Sequence, residues 1–508
     1  MSGADQLWPV DPSYEPLGGA RDLTHRDADW SGLGVLVVGL GVSGFAAADA
    51  LLERGARVTV VSPDTNPAIA ERAQVLEVLG ARVVAGEPLG DRAPEDTDLV
   101  VTSPGVPPTN PLLVACAQAG IPVWGEVELA WRMRPKEGAA PWLTVTGTNG
   151  KTTCVTMLES ILLAAGLRAT AAGNVGLPIL EAVLHPEPYE VLAVELSTFQ
   201  LHWSRSISPY AAVCLNVAPD HVDWHGSYEE YRRMKGRIYE RAQVACLFNV
   251  QDPQTEQLVR DADVVEGCRA VGFTLGIPAR SMLGLVEDVL ADRAFVQQRQ
   301  TSAAELCSLD DLATADGAPA PPHYVADALA AAGLARAYDV APAAVREGLR
   351  AYAPQPHRVQ PVGVVGDVRF VDDSKATNPP AARASLTAYE HVVWVAGGQL
   401  KGADVDDLVR EVAARLRGAV LIGVDRQQIA DALARHAPDV PVRQLSSTDT
   451  GVMDEVLREA SALARPGDVV LLAPAAASKD MFPGYDMRGD AFAAAVRRLA
   501  ESAGEPGS

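Results

Sequence analysis

The chain has 508 residues, more than one hydrophobic core supports, so about three domains of ordinary size are expected. Its 48% hydrophobic and 21% charged residues are those of a soluble globular protein, and a formal charge of −22 disfavours nucleic acid or an acidic membrane as a general partner. The six cysteines form no CxxC pair, the first residues lack the basic and apolar parts of a leader, and no apolar run is long enough to span a bilayer; a reduced, cytoplasmic chain is expected.

Residues 1–31 are polar, without periodicity, and read as a flexible extension. Gly34–Val38 then reads as a buried strand, Gly39-Leu40-Gly41-Val42-Ser43-Gly44 as a turn, 45–53 as a helix and 57–61 as the next strand. This is a Rossmann-like unit. A strand at 98–101 runs into Ser103-Pro104-Gly105-Val106, at the strand end where parallel sheets bind ligands. The basic stretch 132–141, with Pro and Gly, is a linker, and the first domain is taken as 32–138.

Trp142–Thr146 is apolar and β-branched and ends in Gly147-Thr148-Asn149-Gly150-Lys151-Thr152-Thr153, before a helix-compatible segment at 154–165. Strand, glycine turn and helix N-terminus form an anion site, because free N–H groups and the helix dipole both face a bound phosphate. Lys151 can reach the β/γ-phosphates and Thr152 can offer its hydroxyl to Mg²⁺. A nucleoside triphosphate is expected here, although the general P-loop has a longer glycine spacing. Strand signals at 191–194 and 211–215 indicate a second parallel sheet. Glu195 stands at the end of the first, where an NTPase places an acid for Mg²⁺, and His221 lies on the loop after the second. A strand-end Glu is also a common solvated rim residue, a lone loop His usually means little, and glycine-flanked Asn174 suits a turn as well as a substrate contact. Residues 296–322 lose all pattern and read as an edge or loop; helices at 324–338 and Pro342–Ala351 complete a central domain at 139–355.

Residues 353–358 read as a second linker. Strands at Val368–Asp372, 392–396, 419–423 and 468–473 then alternate with helix-length segments, which makes a third α/β domain at 356–500 and leaves 501–508 as a tail that should fray. Three polar loops follow these strands: Asp373 to Asn378, Gly397 to Gly402 and Ser478-Lys479-Asp480. Their cations, hydroxyls and amides suit carboxylate recognition, and their common place at strand ends favours one shared site. The fold class is therefore α/β in three domains: a Rossmann-like N-terminal domain, a central P-loop NTPase-like parallel sheet, and a C-terminal Rossmann-like domain.

In combination these motifs resemble the ATP-dependent Mur ligases, over about residues 34–499. G-T-N-G-K-T-T (147–153) marks the superfamily, which includes folylpolyglutamate synthase. G-L-G-V-S-G (39–44), S-P-G-V (103–106), E-L-S-T-F-Q-L (195–201), D-S-K-A-T-N (373–378), A-P-A-A-A-S-K-D-M-F (473–482) and R-G (488–489) point to the branch that joins D-glutamate to UDP-N-acetylmuramoyl-L-alanine through an acyl phosphate, in peptidoglycan precursor synthesis. The resemblance implies that Gly39, Leu40, Gly41, Val42, Ser43, Ser103, Pro104, Gly105 and Val106 hold the UDP part, with Asn174, Ser197 and Gln200 on the muramoyl-alanine part. It implies ATP contacts from Gly147, Thr148, Asn149, Gly150, Lys151, Thr152 and Thr153, and from Asp327, Arg358 and Asp373. Two Mg²⁺ ions would take Thr152, Glu195, His221 and Lys235 as ligands, Lys235 as a CO₂-derived carbamate; by itself Lys235 reads as a surface charge. Lys375, Thr377, Lys401, Ser478 and Tyr485 would bind D-glutamate. The family also implies a closing third domain that excludes water, and a monomer is expected.

The chain departs from the family pattern at Ser62, where an acid is common, at Asp327, where Asn is common, at Gln399, where an acid is frequent, at Ala476, and at Tyr485, where Phe is frequent. The alternatives are a sister ligase with another amino acid, a folylpolyglutamate synthase, a silent nucleotide-binding scaffold, and a NAD-dependent oxidoreductase built on Gly39 to Gly44. The last lacks the strand-end acid that holds a ribose, since Ser62 stands there and Asp64 lies two residues on.

Overall fold

The computed structural model describes residues 22–312, 319–446 and 451–503. Three β-sheets carry the described residues, the first two in one compact unit and the third in another.

The first sheet comprises β1 (Gly34–Val38), β2 (Arg57–Ser62), β3 (Arg82–Ala85), β4 (Leu99–Thr102) and β5 (Val123–Gly125), in the order β3-β2-β1-β4-β5. All its pairings are parallel, and the order reverses between β1 and β4. The crevice at that reversal is flanked by the glycine turn after β1 and the Ser103 loop after β4. Helix Val42–Glu53 begins inside the glycine turn, three residues earlier than the apolar pattern indicates. Gly44 has to be glycine there, because a Cβ would run into the Gly39 carbonyl.

The second sheet contains β6 (Trp142–Thr146), β7 (Ala169–Gly173), β8 (Val191–Glu195), β9 (Ala211–Cys214), β10 (Ala245–Asn249), β11 (Arg269–Phe273), β12 (Met282–Val286), β13 (Val289–Asp292) and β14 (Ala304–Ser308). Its order is β14-β13-β12-β11-β10-β9-β6-β8-β7. The strands from β7 to β12 pair in parallel, and their near-continuous apolar runs suit a sheet covered on both faces. β12, β13 and β14 are antiparallel, so the sheet is mixed at one edge. β14 corrects the expectation of a featureless 296–322: Leu306 and Cys307 are buried while Glu305 is exposed, a pattern too short to register as a strand in sequence. Residues 313–318 of that stretch lie outside the described residues.

The first and second sheets share one core, because Trp131 and Trp142 meet edge to face at 4.9 Å across the chain that joins them. Beside them Glu128, fully buried, accepts hydrogen bonds from Arg132 Nε at 2.6 Å, from Ser206 Oγ and from the Arg205 and Ser206 backbones. Burial alone would raise its pKa, yet Arg132 and these donors bring it below the usual value, so the group is a carboxylate. Losing one partner of such a pair costs about 3–5 kcal/mol. Residues 22–31 also belong to this core, contrary to a flexible extension: Leu23 and Trp30 are each 1% exposed, and Arg26 N donates to Arg134 O. Two large apolar side chains in a polar stretch are enough to seat it. Residues 1–21 lie outside the described residues.

The third sheet comprises β15 (Gln360–Val365), β16 (Val368–Asp372), β17 (Val392–Gly397), β18 (Leu416–Ile422), β19 (Val442–Gln444) and β20 (Val469–Leu472), in the order β15-β16-β20-β17-β18-β19. β15 and β16 form an antiparallel edge and the rest are parallel. The last helix, Tyr485–Ala503, buries Phe492, Val496 and Ala500, so 501–503 are helical rather than frayed, and 504–508 lie outside the described residues. No described helix is long and apolar enough to cross a membrane.

Candidate active site

In the second sheet β6 lies between β8 and β9, so the turn after β6 has the ends of both neighbours beside it. The register pairs Val145 with Glu195 and Thr146 with Cys214. Helix Lys151–Ala164 starts at the lysine itself, which leaves the N–H groups of its first turn for an anion. Gly150 adopts φ 83 and lies against the Asp327 carboxylate, which a Cβ would strike. Glycine is needed there on both counts.

Asn216, just past β9, holds this turn: its carbonyl accepts from Thr148 N at 3.0 Å, its Oδ1 from Asn149 N at 2.9 Å, and its Nδ2 donates to Asn149 O at 3.1 Å. Its role is absent from the sequence reading, where the only signal was an amide at the end of a buried strand. Lys151 Nζ donates back to the carbonyls of Gly147, at 2.8 Å, and Thr148, at 3.0 Å, so the cation sits over the turn. Thr152 and Thr153 are buried in the first helical turn.

Glu195 is 1% exposed at the end of β8. Asn174 Nδ2 donates to its Oε1 at 2.7 Å, while its Oε2 is buried with no hydrogen-bond partner. A water-excluded carboxylate oxygen without a donor calls for a cation, so the residue suits a divalent metal. Ser197 and Gln200 form a capping box on helix Thr198–His202, which fixes the loop that carries Glu195. His221 is exposed at φ 49 ahead of helix Val222–His225, its ring edge-on to Phe199 with centroids 4.9 Å apart. Lys235, on helix Tyr228–Gly236, is 2% exposed rather than a surface charge, and its Nζ lies 4.6 Å from the centre of the Tyr231 ring. Tyr231 in turn shares a 3.0 Å hydrogen bond with Thr148, so Lys235 is linked to the phosphate turn through one side chain. His225 is buried beside them and pushed down to about 3, first by burial and then by His221 and Lys235. It is a neutral ring at 2.9 Å from Thr198 Oγ1. Among the described residues no three His, Cys, Asp or Glu side chains form a metal cluster by themselves.

At the first sheet, the Ser103 hydroxyl is buried against Gly39 without a hydrogen-bond partner, at the end of β4. Ser43, at the start of helix Val42–Glu53, is hydrogen bonded to Glu126. Ser62 is fully buried, and Asp64 N donates to its Oγ. Val42 is exposed, and Val106 closes a turn through its N–H to Ser103 O.

In the second unit, Arg488 ties the three polar loops together. It is 1% exposed; its Nε donates to Ser374 Oγ, its Nη2 to Ser374 O, and its Nη1 to Ala476 O at 3.1 Å and Gly397 O at 3.4 Å. Burial lowers its pKa to about 10, so it remains a cation. Gln399 and Ala477 also exchange backbone hydrogen bonds, which joins the loops after β17 and β20. The expectation of one shared site holds at the level of these loops. Lys375 Nζ lies 3.9 Å from the Tyr485 ring centre, Ser478 is buried, Thr377 is half-buried, and Lys401 is exposed at φ 52. Asp373 is buried against Ser385 and accepts from Val359 N, and burial raises its carboxyl to about 6, an effect that Arg358 partly offsets. His357 bonds Asp372 Oδ2 at 2.7 Å, and that contact raises its pKa.

Comparison with known proteins covers nearly the whole chain. Residues 34–125 match the Mur ligase MurD-like N-terminal domain, 145–335 the Mur ligase middle domain, and 357–476 the Mur ligase glutamate ligase domain. A Streptomyces coelicolor protein named UDP-N-acetylmuramoylalanine--D-glutamate ligase is 58% identical, over 93% of this chain and 99% of that protein. A Thermobifida fusca protein of the same name is 54% identical, over 92% of this chain and 98% of its own. Among solved structures, a pseudomurein peptide ligase type C from Methanothermus fervidus superposes with TM-score 0.57 at 15% identity, over 92% of this chain and all of that one. At that identity the likeness is one of fold.

Proposed function

The chain belongs to the Mur ligase family, and on that premise we propose that it is an ATP-dependent ligase that joins D-glutamate to UDP-N-acetylmuramoyl-L-alanine in peptidoglycan precursor synthesis. The observation that carries the chemistry is a lysine-bearing phosphate turn next to a buried carboxylate with one unsatisfied oxygen. The choice of amino acid rests on the near-full-length relatives of that name.

In this reading the substrate carboxylate attacks the ATP γ-phosphate and ADP leaves. The amine of D-glutamate then attacks the acyl carbon of the acyl phosphate and inorganic phosphate departs. Gly147 to Thr153 hold the ATP phosphates, with Lys151 placed to meet their charge, and Asp327 lines the same turn. Arg358 and Asp373 complete the nucleotide contacts from the second unit. Glu195, Thr152, His221 and Lys235 as a carbamate would hold two Mg²⁺, and the orphaned Glu195 oxygen supports that fit. When bound, the ions neutralise charge on the transferring phosphoryl group. Asn174, already on Glu195, together with Ser197 and Gln200 would meet the muramoyl-alanine part. Gly39 to Ser43 and Ser103 to Val106 would hold the UDP part, an assignment supported by the unpartnered Ser103 hydroxyl. Lys375, Thr377, Lys401, Ser478 and Tyr485 would take the carboxylates of D-glutamate.

We assign the domains to 32–138, 139–355 and 356–500, divisions supported by the matched ranges, and place the protein in the cytoplasm as a monomer. The test is phosphate release from ATP by the purified chain, with each acceptor and a panel of amino acids. Release is expected only when UDP-N-acetylmuramoyl-L-alanine and D-glutamate are both present. Equal release with another amino acid, or with a folate acceptor, would replace this reading by a sister ligase or a folylpolyglutamate synthase.

A further inference from the structure

Glu126 opens helix Glu126–Arg132 directly after β5 and is 2% exposed, although it belongs to none of the motifs above. Its carboxyl group meets three partners. The Ser43 hydroxyl is hydrogen bonded to it, and the backbone N–H groups of Ile179 and Leu180 point at it, the latter at 3.4 Å. The two backbone partners can only donate. A proton on Glu126 therefore has one acceptor in this set, Ser43 Oγ. A serine oxygen that accepts from Glu126 must send its own proton elsewhere, and Ser43 belongs to the turn assigned above to the UDP diphosphate.

We propose that Glu126 is a positioning residue for the diphosphate of the UDP substrate: as a neutral acid it donates to Ser43 Oγ and so directs the Ser43 hydroxyl proton at a phosphate oxygen. This inference rests on the reading of residues 39–44 as the diphosphate site. The surroundings favour the acid form. Burial raises its pKa most, and the negative charge of Glu181, on helix Ile179–Leu184, raises it further against the opposing hydrogen bonds. Helix Val42–Glu53 presents Ser43 and carries Asp49 and Glu53 beyond it, both acidic. Glu126's own helix carries Glu128, and Arg132 there is already engaged by that carboxylate. β4 and β5 carry no titratable side chain. A bound diphosphate adds negative charge and so stabilises the acid as well. Once Glu126 ionises it can only accept: it takes the Ser43 proton for itself, and its charge opposes the phosphates.

The experiment measures KM for UDP-N-acetylmuramoyl-L-alanine and kcat with the full chain across about pH 6–9. In the wild type KM is expected to rise about tenfold as pH climbs through the raised pKa of Glu126, with kcat at saturation unmoved by this group. Glu126→Gln, whose amide always donates and whose carbonyl still accepts from the backbone, should keep the low KM and flatten that rise. Glu126→Ala should show a KM raised about tenfold even at the acid end. Thermal melting of both variants reports on folding separately. The inference is overturned if Glu126→Gln keeps the wild-type pH dependence, or if it raises KM as much as Glu126→Ala. Ser43→Ala separates the two layers. If it raises KM while Glu126→Gln fails as above, the diphosphate site stands and the role of Glu126 falls; if KM for the UDP substrate is unchanged in Ser43→Ala, the assignment of the turn falls with it.

Discussion

Two glycine turns in this protein are built alike: each follows a buried parallel strand and runs into a helix at the carboxyl edge of its sheet. They differ in the charge gathered around them. The turn at 39–44 is faced by Ser43, Ser103 and Glu126, two hydroxyls and a buried acid. The turn at 147–153 holds a lysine over its own carbonyls, with the Glu195 carboxylate alongside and Lys235 linked through Tyr231. One backbone device thus serves two ends. Neutral donors can grip a diphosphate without changing it, whereas phosphoryl transfer needs positive charge at the oxygens where negative charge moves.

The comparison breaks most visibly at Lys151. Lys151→Ala should lower kcat for ligation by on the order of 10³-fold while KM for the UDP substrate stays within about twofold, since that ligand belongs to the other turn. Full-rate ligation by this variant would remove the chemical half of the contrast. Glu195→Gln comes next, with a loss of about 100-fold in kcat at limiting Mg²⁺ that added metal partly restores. A loss indifferent to metal concentration would assign Glu195 to structure instead. Gly150→Ala forces a side chain into φ 83 and against Asp327, so a loss of about 1–3 kcal/mol in unfolding free energy is expected by denaturant titration. Gly41→Ala is the counterpart with the smallest effect. Gly41 has φ −72 and open space where a Cβ would stand, so its stability should move by less than about 1 kcal/mol. A large destabilisation there would mean that the first turn is as tightly constrained as the second.

Much of this was legible in the residues because it was local. The bounds Pro342–Ala351 and Val368–Asp372 follow from a helical apolar pattern and a short β-branched run. The places of Lys151, Glu195 and the polar loops follow from the rule that ligands bind at strand ends. Asn216, Arg488 and Glu126 were not legible as functional groups, because their partners are distant in sequence: Asn216 holds Asn149, Arg488 holds Ser374, and Glu126 meets Ser43 and Leu180. The burial of Leu23 and Trp30 was hidden for the same reason, since their polar neighbours masked them and only a distant core gives them a place.

By itself, then, the sequence determined the alternation of strands and helices, the two glycine turns and the family to which they belong, since periodicity and turn chemistry act over a few residues. Only the tertiary structure decided which carboxylate is orphaned and which is satisfied. Glu195 keeps a bare oxygen while Glu128 is surrounded by donors, although each ends or follows an apolar strand. The difference lies in which loops the fold brings within about 3 Å of each oxygen, and a hydrogen bond is made or missed at that distance.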